Sequence, residues 1–230
     1  MRVVWSMPER KSSLSWYDKT MKRLVVFDFD GTIADSFDEA VSVFKQLMPG
    51  QKDLTTEQIE VLRNKPYKEI LDYFGISYFR VPGLVVKGRQ ILKKSIHKVH
   101  PFDGIDSELA RLKADGYTLC IISSNATPSI EKFLDKHHLS KYFDGVQGYA
   151  GLLGKPKLIR ALMKRRGFSP QHTVYIGDEP RDVDAAKKAG VWSLAVSWGF
   201  SGEEILAKHE PTFLVGDTKR LADAVDEIFI

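Results

Sequence analysis

Cysteine is nearly absent: Cys120 is the only one in 230 residues, which excludes an intrachain disulfide framework. It lies in the apolar run TLCIIS and reads as a buried small hydrophobe. A reducing, cytoplasmic setting is expected. No run approaches the ~20 consecutive apolar residues that span a bilayer, so no membrane partner is expected. Internal repeats and low-complexity tracts are missing as well. Excess charge is small, a net +4, and it is local. Residues 1–23 hold six basic side chains (Arg2, Arg10, Lys11, Lys19, Lys22, Arg23) against Glu9 and Asp18. The remainder is therefore neutral, and nucleic acid is not an expected partner. The arm lacks the apolar centre of a secretory signal. Residues 1–21 read as a disordered basic tail, with organelle targeting as the alternative; Met7 and Met21 leave room for a shorter natural start.

What is present is an alternation of short β-rich runs with helical segments. LVVFD (24–28), TLCIIS (118–123), TVYIG (173–177), WSLAV (192–196) and TFLV (212–215) read as strands, with a weaker one near Gly145–Gly148. DSELARLKADG, SIEKFLDKHH, PKLIRALMKRRG, EPRDVDAAKKAG and TKRLADAVDEIF carry apolar positions at helical spacing. The pattern predicts an α/β fold, a Rossmann-like parallel sheet with helices on both faces. Residues 34 to about 100 contain no strand, and SFDEAVSVFKQLM, TTEQIEVLRN, YKEILDYFG and VVKGRQILKKSIHK all read as helices. The expected organisation is a core of 22–34 and 101–230 with a small all-helical cap, 35–100, inserted after the first strand. Hinges are expected near Ala34–Asp35 and His100–Pro101.

Four strand ends carry chemistry. In VVFDFDGTIADS, Asp28 and Asp30 point the same way while Phe27 and Phe29 point the other, and Gly31 lets the backbone leave the strand sharply. Like charges this close repel and resist desolvation, so a cation between them is expected; oxygen-only ligands suit Mg²⁺. The alternative is a simple Asp-rich turn. In IISSNATPSI, Ser124 and Asn125 stand before a helix, where hydroxyls and free N–H groups hold phosphate oxygens, or where Ser or Thr127 merely caps. In LLGKPKLIRALMKR, Lys155 precedes Pro156, expected at the first helical position. A cation there opposes the helix dipole unless it faces an anion; a solvated lysine is the alternative. In YIGDEPRDVDAAKKAG, Gly177 suggests a tight turn presenting Asp178. Asp178 and Asp182 are four apart and expected on one helical face, with Glu179 beside them, although acids also favour a first helical turn.

With these four motifs in this order, the sequence resembles the haloacid dehalogenase superfamily, in the branch with a helical cap after the first strand. Phosphoglycolate phosphatases and β-phosphoglucomutases belong to that branch. The resemblance spans residues 22–230. It implies phosphoryl transfer through an aspartyl phosphate, with Asp28 as nucleophile and Asp30 as proton donor and acceptor. It implies Mg²⁺ held by the Asp28 carboxylate, the Asp30 carbonyl and Asp178. Ser124 and Lys155 would hold phosphoryl oxygens, with Ser123 the alternative to Ser124. Asn125, Glu179 and Asp182 would support them, Asp182 or Glu179 by orienting Lys155 or a metal-bound water. An acid at position 30 favours oxygen leaving groups over halide.

The implied partner is a small phosphorylated metabolite, and the oligomeric state stays open. Arg63, Lys65 and Tyr67, around a helix break in the insert, are candidates to read the substrate; a solvated loop is the alternative. The expected function is a Mg²⁺-dependent phosphatase on small phosphate monoesters, of phosphoglycolate phosphatase type. Its alternatives are a phosphomutase of β-phosphoglucomutase type and, from another class, a receiver-like phospho-aspartate signalling protein.

Overall fold

The computed structural model describes residues 22–229; the basic arm 1–21 lies outside them. The chain enters through β1 (Leu24–Phe27) and a two-residue β2 (Ala34–Asp35). Four helices follow, α1 (Phe37–Leu47), α2 (Thr56–Arg63), α3 (Tyr67–Tyr73) and α4 (Val81–Ser95), and then β3 (His100–Pro101). The remainder alternates: α5 (Ile105–Ala114), β4 (Thr118–Ile122), α6 (Thr127–Lys136), β5 (Gly145–Gln147), α7 (Gly151–Arg166), β6 (Thr173–Gly177), α8 (Pro180–Ala189), β7 (Trp192–Val196), α9 (Glu203–Lys208), β8 (Phe213–Val215) and α10 (Leu221–Phe229). Among the described residues no helix is long and apolar enough to cross a membrane.

Six strands form one parallel sheet in the order β5-β4-β1-β6-β7-β8. Strand β1 is central and buried along its whole length, as expected where helices cover both faces of a parallel sheet. Its period of two divides the core. Val25, Phe27 and Phe29 pack into the cluster shared with α5, α6 and α10. Leu24 and Val26 face the other way, toward Ile159 and Leu162 of α7 and Ala186 of α8. Phe29 meets Phe133 edge to face at 5.0 Å.

Helices α1 to α4 carry their own small core, Leu71, Ile76 and Val81 with Phe44, Met48 and Phe74 around them. The expected hinges are a two-residue antiparallel pair, Ala34 with Pro101 and Asp35 with His100. A strand of two residues has too little sequence to show a period, which is why the interval read as purely helical. Helix α9, in EEILAK, also went unread; six residues are too short for a helical pattern. The helix containing Lys155 starts earlier than expected, at Gly151, so Pro156 lies inside α7 instead of at its first position. Lys155 therefore sits one turn in, and no longer opposes bare N–H groups at a helix start.

The turn after β1 depends on Gly31, whose φ is +74°. A Cβ there would overlap the Asp178 carboxylate and the Phe200 ring. Left-handed backbone and overpacking together predict that Gly31→Ala loses roughly 2–5 kcal/mol. Urea unfolding should show this as a lowered midpoint with unchanged slope; an unchanged midpoint would mean the turn tolerates a side chain.

Candidate active site

The parity of β1 that sends Phe27 and Phe29 into one core layer turns Asp28 toward the opposite face, over α7 and α8. Asp28 is 3% exposed. Its Oδ1 accepts its neighbour's amide, Phe29 N–H, at 2.8 Å, and its Oδ2 accepts from Lys155 Nζ at 2.5 Å. Lys155 Nζ also donates to Asp182 Oδ1 at 2.5 Å and lies 5.5 Å from the Tyr175 ring centroid. One buried ammonium thus joins β1, α7 and α8. Burial works against the Lys155 charge, but Asp182 and Asp28 outweigh it and hold its pKa well above the ordinary lysine value.

Asp30 continues along the turn. Both its oxygens accept from Asn125 Nδ2, at 3.0 and 3.3 Å. Burial, with the Asp28 charge second, raises its pKa to about 6, while Asn125, Ser36 and Lys155 pull the other way. Asn125 Oδ1 accepts the Ala126 amide, which fixes the orientation of the side chain. The Ser123 hydroxyl accepts the Asn125 amide at 3.1 Å, and Ser124 is half-buried in the same turn. Ser123 thus accepts from the backbone and is buried, and Ser124 is the more exposed of the two serines. Thr127 does not cap α6: its hydroxyl accepts from Gly148 N–H instead.

The acids after β6 divide their work. Asp178, fully buried, accepts from Thr32 Oγ1 at 3.0 Å and from Phe200 N–H at 2.7 Å. Burial raises its pKa well above the usual carboxylate value; Glu179, Asp182 and Asp28 add to this, and the Phe200 amide offsets part of it. Asp178 precedes α8 and so shares no helical face with Asp182. Glu179 is the helix N-cap, and Asp182 Oδ2 accepts back from the Glu179 amide at 3.2 Å. Gly177 is needed for a different reason than a tight turn: a Cβ there would overlap the Asp182 carboxylate. Burial, then Asp28, raise the pKa of Asp182 to about 6 against the pull of Lys155. Arg181, unremarked in the sequence, pairs with Glu179.

Of the expected metal set, Asp28 has further carboxylates beside it. Carboxylate oxygens of Asp28, Glu179 and Asp182 lie within 4.8 Å of one another, and Asp178, its oxygens on Thr32 and Phe200, adds its charge to the same region. Five carboxylates (Asp28, Asp30, Asp178, Glu179, Asp182) meet two cations (Lys155, Arg181) in this region. A buried excess of negative charge made of hard oxygens fits a divalent cation such as Mg²⁺.

The three candidates from the insert differ in placement. Arg63, one of the candidate readers of a substrate, donates from Nη2 to the carbonyls of Ser197 at 2.8 Å and Gly199 at 2.7 Å, and from Nη1 to Glu60 at 2.9 Å. Lys65 pairs with Glu69 at 3.1 Å on an exposed face. Tyr67 is half-exposed and close enough to Arg181 and Glu179 to feel their charges.

Residues 25–196 match the model of the haloacid dehalogenase-like hydrolase family. The phosphoglycolate phosphatase of Synechococcus elongatus is 31% identical over 206 residues, covering 89% of this chain and 97% of that protein. The phosphoglycolate phosphatase of Pseudomonas syringae pv. tomato is 27% identical, over 87% and 79% of the two chains. Among solved structures, a predicted phosphatase from Clostridium acetobutylicum superposes with a TM-score of 0.73 at 24% identity, over 90% of this chain and 99% of that one. A haloacid dehalogenase-like hydrolase from Streptococcus pneumoniae gives 0.70 at 23%, over 88% and 98%. These two likenesses speak for the fold. With the family model spanning most of the chain and all four motifs gathered at one edge of the sheet, the chain belongs to the haloacid dehalogenase-like hydrolases and is an enzyme of that family.

Proposed function

We infer that the enzyme is a phosphatase that hydrolyses small phosphate monoesters through a phosphoryl group carried on Asp28. The carrying observation is the Asp28 carboxylate, buried at the carboxyl edge of the central strand with a lysine ammonium 2.5 Å away. An acid in that position is a nucleophile with phosphate-binding charge already beside it.

In the first step an Asp28 oxygen bonds to phosphorus as the P–O ester bond breaks, and Asp30 gives its proton to the departing alkoxide. In the second, water attacks the same phosphorus, Asp30 takes the proton, and the bond to Asp28 breaks to release phosphate. A pKa near 6 suits a group that must both give and accept within one cycle near neutrality. Lys155 and Ser124 hold phosphoryl oxygens, and Asp182 keeps the Lys155 ammonium in place. Mg²⁺, held by the Asp28 carboxylate, the Asp30 carbonyl and Asp178, would supply positive charge against the anionic ester.

The helical insert acts as a cap that closes over this edge and excludes water. Tyr67, close enough to Arg181 and Glu179 to feel their charges, is the candidate reader of the substrate's non-phosphate part, with Lys65 beside it in the chain. Phosphoglycolate is the leading substrate because the curated relatives described above carry that name. A cytoplasmic enzyme acting on a soluble metabolite fits this reading.

Phosphate release over a panel of phosphoglycolate, sugar phosphates, nucleotides and pyridoxal phosphate tests the assignment. A phosphatase frees inorganic phosphate from at least one; a mutase returns it to a sugar, and a receiver-like protein keeps a long-lived phosphoryl group. Asp28→Asn should lower phosphate release from an aryl phosphate by about 10³-fold or more, with an unchanged circular dichroism spectrum. Retained activity would remove Asp28 from the nucleophile role. Asp30→Asn should slow alkyl esters by roughly 10²–10⁴-fold and aryl esters much less, since a phenolate leaves without a proton. Equal losses on both would count against Asp30 as the leaving-group acid.

A further inference from the structure

The segment 197–202, between β7 and α9, touches the insert with one side and the acid cluster with the other. On the insert side, Arg63 Nη2 donates to the Ser197 and Gly199 carbonyls, and the Arg63 carbonyl accepts from Gly202 N–H at 2.9 Å. Asn64 Oδ1 accepts from Glu204 N–H at 3.1 Å. Helix α9 has no side-chain cap of its own at Gly202; Asn64 satisfies a first-turn N–H from across the interface. The approach is close enough that a Cβ on Gly202 would overlap the Asn64 amide. Phe37 of α1 packs against Phe200 at 5.6 Å between ring centroids.

On the core side, Phe200 N–H donates to Asp178 Oδ2, and Trp198 Nε1 donates to the Thr32 carbonyl at 3.2 Å. Thr32 in turn donates its hydroxyl to the other Asp178 oxygen. Gly199 abuts the Gly31 carbonyl and the Asp178 carboxylate so closely that a Cβ there would overlap both. Among the described residues, both hydrogen bonds to the Asp178 carboxylate thus come from the turn after β1 or from this segment. The segment's ties to the core lie at its first two residues, the Ser197 amide on Val215 and the Trp198 ring packed against the main cluster beside Phe102.

We propose that Arg63 and Asn64 are positioning residues: they latch the insert onto residues 197–202, and through the Phe200 amide that latch sets the orientation of Asp178. Closure of the insert and assembly of the acid cluster are then one event. When the insert swings away, the Ser197 and Gly199 carbonyls and the Glu204 amide lose their partners together, and Asp178 loses the ordered amide behind it. The geometry of the latch stands on its own; its consequence for turnover rests on the phosphatase reading.

Hydrogen exchange and steady-state kinetics on the full chain separate the two. Arg63→Ala and Asn64→Ala should each speed exchange of the Phe200, Gly202 and Glu204 amides by about tenfold or more, the loss expected for a charge-assisted or capping bond. The same variants should lower kcat for an aryl phosphate by about tenfold, with KM within roughly threefold of the parent. Arg63→Lys, which keeps a donor for one carbonyl, should recover part of both. Unchanged exchange with a raised KM would overturn the proposal and make Arg63 a substrate contact. Faster exchange with unchanged kcat would overturn the link to Asp178. If the parent hydrolyses no ester at all, the phosphatase reading fails, and the protection of the Phe200 amide still decides the latch.

Discussion

One buried ammonium organises this molecule's edge. Lys155 is 3% exposed and lies between Asp28 and Asp182. Taking three charges out of water costs several kcal/mol per ion. Each close opposite pair returns about 4 kcal/mol at an effective dielectric near 20, so a lysine with two partners keeps its proton where a lysine with one would be balanced. The arrangement is still short of positive charge. Asp30, Asp178 and Asp182 respond with raised pKa values, each caused first by burial. A divalent cation and the dianion it accompanies would complete the set, the metal relieving the acids and the phosphoryl oxygens occupying the lysine.

The fold makes this meeting possible through parity and topology. Even-numbered residues of β1 face α7 and α8, so Asp28 meets a lysine from one helix and an aspartate from the other. The neighbours of β1 are β4 and β6, so the turns after all three strands open at the same edge, where ligands bind in parallel α/β sheets. The chain leaves that edge after β1 to build the insert and returns through the β2–β3 pair. The insert's helices share a separate small core; among the described residues, Arg63, Asn64 and Phe37 touch the segment behind Asp178, and Tyr67 approaches Glu179 and Arg181.

Much of this was legible in the sequence. The strands were, because β1, β4, β6 and β7 are short apolar runs ended by polar residues. Asp28, Asp30, Asn125, Lys155 and Asp178 were, because charged or amide side chains at strand ends and before helices have few structural excuses. Side-chain direction inside the loops was not legible. Nothing local shows that Asp178 turns its oxygens to Thr32 and Phe200 while Asp182 turns its own to Lys155 and the Glu179 amide. Pro156 reads as a helix opener, yet α7 begins five residues earlier, at Gly151, and carries the proline inside it. Arg63 reads as a candidate substrate contact beside a helix break. Besides Glu60 one turn back, its partners are carbonyls more than 130 residues away, and carbonyls leave no mark on a sequence.

The most direct test of the central claim is to trap the covalent state. Acid quenching during turnover of an aryl phosphate in the presence of Mg²⁺, followed by peptide mass spectrometry, should find one phosphoryl group on the peptide containing residues 25–36, with fragmentation assigning it to Asp28. A phosphoryl group on another residue, or steady turnover with no labelled peptide at any quench time, would contradict the account.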